Sequence, residues 1–333
     1  MSWQPGRSSH SLILMSQVTG LHHVTCIAGD AQDNVDFYSG VLGMRLVKKS
    51  VNQDSPGTYH LFYADGAGHP GTDITFFPWP EMPTAKPGIG LAMEVSLAIP
   101  LGTIDYWGAR LAEHHLAVGA IETRRRTAAL PFTDPHGLPV TLHETGDERE
   151  FSPWADSPVP PERQIRGLHS VRLWERNVAV TARFLTGILG FVDVGAENDW
   201  TAFEIGGGGS GKYLELREIP DADRGAWGTG GIHHVAWRVP DLDAELNVRE
   251  QIERARRRPT EVIDRFWFKS VYFLEPGGVL FELATDGPGF TVDEDPKSLG
   301  EHLVLPPWLE QNREQIEARL PPIHPPVTQP VTG

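Results

Sequence analysis

One short pattern occurs three times in this chain, and it constrains the fold more than any other feature. It reads Gly20-Leu-His-His-Val-Thr in the first copy, Gly167-Leu-His-Ser-Val-Arg in the second and Gly231-Ile-His-His-Val-Ala in the third. Repetition of this kind indicates one supersecondary unit that is used several times. The chain is therefore predicted to consist of repeated modules.

Each module is predicted to contain one strand, one helix and three further strands. After the opening pattern, the first two copies continue through Phe37-Tyr-Ser-Gly-Val-Leu-Gly and Phe184-Leu-Thr-Gly-Ile-Leu-Gly, whose apolar spacing is helical. Two modules end alike, because Asp134-Pro-His-Gly and Glu275-Pro-Gly-Gly are turn sequences that enter β-rich runs. Other strand-like runs lie between the helix and this closing strand.

The predicted fold class is α+β, with four βαβββ modules at about 20–85, 90–145, 166–220 and 231–286. Residues 1–16 are expected to form a disordered leader. The predicted domains are residues 17–150, with two modules, and residues 166–290, with the other two, joined by a linker at 151–165. Residues 291–333 are expected to form a C-terminal tail that packs on the outside.

Charge and cysteine content restrict the partners. The formal charge of the 333-residue chain is −15, which disfavours nucleic acid and anionic membranes and leaves small molecules as the expected ligands. The single cysteine, Cys26, excludes an internal disulfide framework and a cysteine-built metal site, and it fits a reducing cytoplasm. The apolar run near the N-terminus is too short for a membrane span.

Strand alternation predicts which histidine of each pair faces the inside of a module. In the first module His22 shares a face with Val24 and Cys26, and in the last module His233 shares a face with two bulky apolar residues. Bulky apolar residues mark the face that a helix covers. His23 and His234 are therefore predicted to point to the concave side.

Glu282 lies on a closing strand between Phe281 and Leu283, so its carboxylate points away from two large apolar side chains. A carboxylate on such a strand is costly unless it is paired or bound to a metal. Two imidazoles and one carboxylate form the facial triad of non-haem iron(II) sites, which leaves positions open, although zinc would accept the same ligands. His23, His234 and Glu282 are the predicted metal ligands.

The repeat provides an internal comparison. Ser170 takes the place of His234 in the third module, and Thr141 takes the place of Glu282 in the second. The middle modules have therefore lost the ligand set. We expect one metal per chain, in a barrel formed by the first and last modules, and a structural role for His169.

The chain resembles the hydroquinone-type ring-cleaving dioxygenases of the vicinal oxygen chelate superfamily. The likeness extends from about Thr19 to about Gly300 and includes Asp293-Glu-Asp in the tail. The segments that carry it are Gly20-Leu-His-His-Val-Thr-Cys-Ile-Ala-Gly-Asp-Ala-Gln, Phe37-Tyr, Leu46-Val-Lys-Lys, Tyr59-His-Leu-Phe-Tyr-Ala-Asp, Pro70-Gly-Thr, Ile232-His-His-Val-Ala and Pro276-Gly-Gly-Val-Leu-Phe-Glu. The resemblance implies two glyoxalase-like open barrels and an enzyme that opens a hydroquinone ring with dioxygen.

The resemblance also implies residue roles. It assigns the metal, iron(II) with manganese(II) as the alternative, to His23, His234 and Glu282. It assigns catalytic, substrate-binding or supporting positions to His22, Thr25, His233, Arg265 and Tyr272. A histidine of this set would act as an acid–base group or would only brace its neighbour. The segment from Arg265 to Tyr272 departs from the family pattern, which leaves the substrate preference open.

Two other functions remain as alternatives. A glyoxalase-like isomerase or thiol transferase would use the same fold, but such enzymes usually need a fourth protein ligand, which Thr141 and Ser170 do not obviously provide. A non-enzymatic module that binds an aromatic compound would generally lack the metal ligands. In each case the expected partner is a small molecule, and the chain is expected to form a homo-oligomer, a dimer or higher.

Overall fold

The computed structural model describes residues 17–326. The predicted leader at 1–16 lies outside the described residues, as do the last seven positions of the predicted tail, 327–333.

Four βαβββ modules follow one another along the chain, as predicted. The first contains β1 (Gly20–Ala28), α1 (Ala31–Val35), a π-helical turn (Asp36–Val41), β2 (Arg45–Val51), β3 (Tyr59–Ala64) and β4 (Asp73–Pro78). The second contains β5 (Ala92–Pro100), α2 (Ile104–Glu113), β6 (Glu122–Arg124), β7 (Thr127–Thr133) and β8 (Pro139–Thr145). The third contains β9 (Gly167–Glu175), α3 (Val178–Phe184), a π-helical turn (Leu185–Leu189), β10 (Val192–Glu197), β11 (Trp200–Glu204) and β12 (Tyr213–Glu218). The fourth contains β13 (Ile232–Val239), α4 (Leu242–Arg254), β14 (Ile263–Asp264), β15 (Lys269–Leu274) and β16 (Leu280–Thr285).

The strands form two curled eight-stranded sheets. In the first sheet the order is β14-β15-β16-β13-β1-β4-β3-β2, so the first and last modules join where β1 pairs antiparallel with β13. In the second sheet the order is β10-β11-β12-β9-β5-β8-β7-β6, and β5 pairs antiparallel with β9. The predicted fold class is confirmed, and the first and last modules share one barrel.

The sheets do not follow the predicted division at residues 151–165. Each sheet combines one module from the first half of the chain with one from the second, because the opening strands pair across that division. Strand pairing alone does not decide where the chain divides into domains, so the predicted two-domain division stays a prediction.

Short helices cover the sheets, and aspartates fix the starts of two of them, α1 and α4. Asp30 accepts hydrogen bonds from the backbone N–H groups of Gln32 and Asp33, and Asp241 accepts one from Ala244. Side-chain acceptors of this kind satisfy the free N–H groups of a first helical turn. The helix of the first module ends before Gly43, which has a φ of +68° and lies too close to Val159 for a Cβ atom.

The tail runs along the first module. It contains two 3₁₀ turns (Phe290–Val292 and Glu310–Asn312) and α5 (Arg313–Glu317). The buried Lys48 ammonium lies 2.7 Å from an Asp293 oxygen and also binds Glu294. This ion pair holds the start of the tail against β2, next to the open side of the first barrel.

Candidate metal centre

Two β-bulges shape the site in the first sheet. Along β1, Leu21 pairs with Trp237 and His23 with Ala236, so His22 is an extra residue; along β13, His233 is extra in the same way. A bulge interrupts alternation and redirects a side chain. The prediction that strict alternation turns these two histidines to the opposite face is therefore wrong: the His22 ring lies against the His23 ring, and the His233 ring against the His234 ring.

The bulged strands bring the three predicted ligands together. His23 Nε2 lies 3.3 Å from His234 Nε2, and Glu282 Oε2 lies 3.3 Å from the former and 2.9 Å from the latter. Among the described residues, these three are the group of His, Cys, Asp and Glu side chains whose ligand atoms cluster tightly enough to hold a metal ion. All three are buried, and Glu282 has no exposed surface.

The Glu282 carboxylate indicates that a cation belongs here. Its Oε1 accepts a hydrogen bond of 2.5 Å from Ser270 Oγ, whereas Oε2 has no hydrogen bond of acceptable geometry within the described part of the chain. Burial raises the pKa of Glu282, but His23 and His234 outweigh burial and hold the pKa well below its usual range. Two imidazole nitrogens and one buried carboxylate oxygen at contact distance from one another fit a divalent metal.

The two bulge histidines, His22 and His233, lie against the predicted ligands on the side away from the cluster of Nε2 atoms. His22 Nδ1 lies 2.9 Å from His23 Nδ1, and His233 Nδ1 lies 2.8 Å from His234 Nδ1. Burial, followed by the adjacent ligand histidine, lowers the pKa of each to about 3. A neutral imidazole at these distances can accept the Nδ1–H of the neighbouring histidine, an arrangement that would leave Nε2 of His23 and of His234 free for a metal.

Arg265 and Tyr272 lie on one wall of the pocket in front of the cluster. The Tyr272 ring packs edge-on against His234 at 5.7 Å, and the Arg265 guanidinium lies 5.4 Å from the Tyr272 ring centre. Asp54 holds that guanidinium with two hydrogen bonds of 2.9 and 3.2 Å. Burial, with the Glu282 carboxylate, raises the pKa of Tyr272, so its hydroxyl stays protonated.

Thr25 reaches the pocket through two other residues. Its hydroxyl lies 2.7 Å from the Thr75 hydroxyl, which lies 2.9 Å from His60 Nε2. Thr25 itself is fully buried, and His60 lines the pocket. The predicted position is thus the far end of a hydrogen-bonded chain and not part of the pocket surface.

Several pocket residues were missing from the sequence prediction. They are Asn52, Gln53, Asp54, His60, Phe62, Phe77, Trp267 and Phe268. His60 has the same sequence signal as Glu282, because it is a polar residue between two apolar neighbours on a strand. The loop residues among them had no signal, because their positions depend on how β2–β3 and β14–β15 approach each other.

The fold and the cluster together define a class: βαβββ modules, paired into a barrel, that present an open site of two histidines and one glutamate. A family model described as the Glyoxalase/Bleomycin resistance protein/Dioxygenase superfamily matches residues 20–142. MhqA of Bacillus subtilis (strain 168), which carries the name of a ring-cleaving dioxygenase, is 40% identical over 315 residues, covering 92% of this chain and 99% of MhqA. The chlorohydroquinone/hydroquinone 1,2-dioxygenase of Sphingobium indicum is 34% identical over 312 residues, covering 91% and 96%.

The chain belongs to the aromatic ring-cleaving dioxygenases of this superfamily. A crystal structure of a protein named as a dioxygenase, from Bacillus subtilis subsp. subtilis str. 168, matches with a TM-score of 0.89 and 39% identity, covering 93% of this chain and 99% of that one. Glyoxalase I from Zea mays matches with a TM-score of 0.60 at 15% identity, covering 80% and 92%, and shows the shared fold alone. Across residues 17–326, no helix is both long and apolar enough to cross a membrane.

Proposed function

We propose that this protein is an iron(II) enzyme that cleaves the ring of a hydroquinone with dioxygen. The observation that carries the proposal is the convergence of His23 Nε2, His234 Nε2 and Glu282 Oε2 within 3.3 Å, in a pocket that also presents a protonated tyrosine and a paired arginine. The relative named as a hydroquinone dioxygenase supports this choice of substrate class. Manganese(II) would accept the same ligands and is the alternative metal.

The overall reaction balances without another reductant. Both atoms of dioxygen enter the product, one at the hydroxylated carbon and one at its neighbour. The bond between these carbons breaks, which leaves a carboxylic acid at the first and an aldehyde at the second. An iron(II) held by His23, His234 and Glu282 would bind a substrate oxygen and dioxygen and would supply electron transfer between them.

The residues of the chain bind and orient the reactants. His23, His234 and Glu282 occupy one side of the site and leave the pocket side open. Aromatic side chains form walls of the pocket that would pack against an aromatic ring and exclude water. They are those of Phe62, Phe77, Trp267 and Phe268. Tyr272 would donate its proton in a hydrogen bond to an oxygen at the metal-facing end of the ring, and Arg265 would compensate developing negative charge.

We propose a bracing role for His22 and not a proton-transfer role. Its Nδ1 lies against His23 Nδ1, and the ring also donates a hydrogen bond to the backbone of Thr285. With both nitrogens engaged and a pKa near 3, His22 has little capacity to take a proton from substrate. His233 has the same pairing and stacks on Trp227 with ring centres 4.4 Å apart, which favours the same role.

Oxygen uptake tests the proposal. The protein is purified without air and loaded with iron(II), and uptake is followed with hydroquinone, methylhydroquinone, chlorohydroquinone and catechol. His234→Ala should abolish uptake, whereas Ser170→Ala, the change at the equivalent position of the third module, should preserve it. Uptake with catechol alone would overturn the substrate class. Metal binding without uptake on any ring would refute the dioxygenase activity and favour the isomerase or transferase alternative.

A further inference from the structure

His60 is a pocket residue that neither the metal cluster nor the tyrosine–arginine wall uses. It lies on β3, in the first module, whereas Arg265 and Tyr272 lie on the β14–β15 side of the last module. Because β3 and β14–β15 are at opposite ends of the curled sheet, their side chains line different walls of the same pocket. A ligand that contacts the tyrosine wall at one end therefore has His60 within the pocket beside it.

The His60 ring is held in one orientation. Phe62 and Phe77 flank it, with ring centres 3.9 and 4.4 Å away, and its Nε2 bonds to Thr75, which in turn bonds to Thr25. Two aromatic contacts and an anchored nitrogen leave little rotational freedom. Such anchoring through supporting residues is what a preorganised binding group requires.

The anchoring leaves Nδ1 as the nitrogen available to a ligand. Within residues 17–326 we find no hydrogen bond to Nδ1, and the atom is not sealed inside the protein. Burial, followed by the nearby His23 and His234, lowers the pKa of His60 well below its usual value, so the ring is neutral. A neutral imidazole can donate or accept one hydrogen bond at its free nitrogen, which suits a phenolic hydroxyl.

A hydroquinone has a specific need for such a group. One of its oxygens would lie at the metal cluster, and the other is on the opposite side of the ring, so the metal cannot bind both as it can in an ortho-diol. A hydroxyl that is buried in an aromatic pocket without a partner is costly. The second oxygen therefore requires a hydrogen-bonding group that does not belong to the metal cluster.

We propose that His60 Nδ1 binds the second hydroxyl of the hydroquinone and thereby gives the site its preference for para-diols over monophenols. This inference rests on the proposed function, because it takes a hydroquinone as the substrate. Thr75 and Thr25 are positioning residues in this scheme, since they hold the opposite nitrogen. The proposal gives Thr25 a role that its place outside the pocket surface left unexplained.

Binding of hydroquinone and phenol to the iron(II)-loaded protein tests the proposal without turnover. Calorimetry without dioxygen gives the affinity for each; phenol has the ring and the metal-facing oxygen but lacks the second hydroxyl. Wild type should bind hydroquinone about tenfold more tightly than phenol, the value of roughly one hydrogen bond. In His60→Phe this preference should fall to about one, with phenol affinity unchanged.

Two further variants and a control complete the experiment. His60→Asn places a polar atom near the former Nδ1 and should restore part of the preference, and Thr75→Val, which frees Nε2, should weaken it less than His60→Phe does. His143→Phe is the control, because His143 is a buried imidazole of the second sheet whose Nε2 also bonds to a threonine, Thr127, at 2.7 Å. The preference of the His143→Phe variant for hydroquinone over phenol should equal that of wild type.

The possible results separate the inference from the function on which it rests. An unchanged preference in His60→Phe, or a wild type without any preference, overturns the role of His60 even if hydroquinone is cleaved. Absence of oxygen uptake in wild type with every ring would instead refute the proposed function. If His60→Phe does not fold, the comparison of Thr75→Val with His143→Phe decides, and equal preferences in these two variants contradict the inference.

Discussion

The substitution His22→Phe should weaken metal binding, whereas its loss of the hydrogen bond with the Thr285 backbone should affect the metal-free and metal-bound forms alike. His22 Nδ1 lies 2.9 Å from His23 Nδ1, and the His22 ring packs 5.2 Å from the ring centre of Phe268. Phenylalanine keeps a planar ring in this space but has no acceptor. The consequence depends on the state of His23. Without metal, the His23 proton can move to Nε2 and point to Glu282, whereas a metal at Nε2 forces the proton onto Nδ1 with no partner.

The size of the effect follows from that difference. A buried donor left without a partner costs about 1–3 kcal/mol. Because the cost arises only in the metal-bound state, it reduces metal affinity by about 5- to 150-fold, at about 1.4 kcal/mol for each factor of ten. Loss of supporting hydrogen bonds to metal ligands typically costs about 10–100-fold, which is the same range. His22→Asn, whose side-chain oxygen can take the position of Nδ1, should recover most of the affinity.

Competition with a chelator of known affinity measures the effect, with iron(II) and separately with manganese(II). The chain provides a matched control in His169→Phe, since His169 is the extra residue of the equivalent bulge in β9 and its Nδ1 has no partner among the described residues. This control should bind metal like wild type. Equal affinities of wild type and His22→Phe would refute the tautomer argument, and equal losses in both variants would show that the effect is not specific to the site.

Three further outcomes are expected. Ser270→Ala removes the hydroxyl that donates to Glu282 Oε1 and should weaken metal binding by roughly tenfold in the same competition assay; no change would mean that the carboxylate is oriented without it. Burial and the Glu275 carboxylate raise the pKa of Glu175 from 4.5 to about 8, so between these pH values the group takes up a proton on folding and the free energy of unfolding falls as the pH rises. Glu175→Gln should flatten this fall in urea denaturation between about pH 5 and 8, and an unchanged slope would contradict the assignment. Lys48→Met leaves the Glu294 carboxylate, whose side chain is 7% exposed, without its cation and should lower the free energy of unfolding by about 3–5 kcal/mol in urea denaturation, whereas a loss below about 1 kcal/mol would show that solvent compensates the charge.

The sequence was sufficient to predict the modules and to select the candidate ligands. The sequence indicates Glu282 because a single carboxylate on an otherwise apolar strand is costly unless it is paired or bound to a metal. Its neighbours Phe281 and Leu283 are indeed packed in the main core. The sequence indicates the paired histidines because they recur at equivalent positions in the opening strands of the first and last modules. In each case the signal is local: a short pattern whose neighbours already determine the face of the strand.

The bulges could not be predicted from the same pattern. An extra residue in β1 shows only in the register of the partner strand, since Leu21 and His23 pair with consecutive residues of β13. Alternation therefore misplaced His22, although it placed His23 on the side where the structure brings it together with His234 and Glu282. The pairing of the first module with the last was inferred from the predicted ligands. The contact of Asp54 with Arg265 depends on loop packing and could not be predicted from the sequence.

The second sheet shows what replaces the metal cluster when the ligands change. Its register places Glu215 opposite Arg172, as Glu282 lies opposite Ala236, so Glu215 is the counterpart of the metal-site glutamate. The counterpart of His23 is Glu94, which follows the bulge residue of β5 as His23 follows that of β1. The sequence comparison of the closing strands through Thr141 missed both glutamates.

These two glutamates have cations of their own. The Arg124 guanidinium lies 2.5 Å from a Glu94 oxygen, and Arg172 lies 2.5 Å from Glu215 and 3.8 Å from Glu94. Buried carboxylates need a cation nearby, and here the chain supplies it as two guanidinium groups that fill the centre of the barrel. The first barrel has no arginine in that place, because the short side chain of Ala236 stands where Arg172 stands in the second. This difference between the two barrels supports the proposal that the metal is held in the first barrel and not in the second.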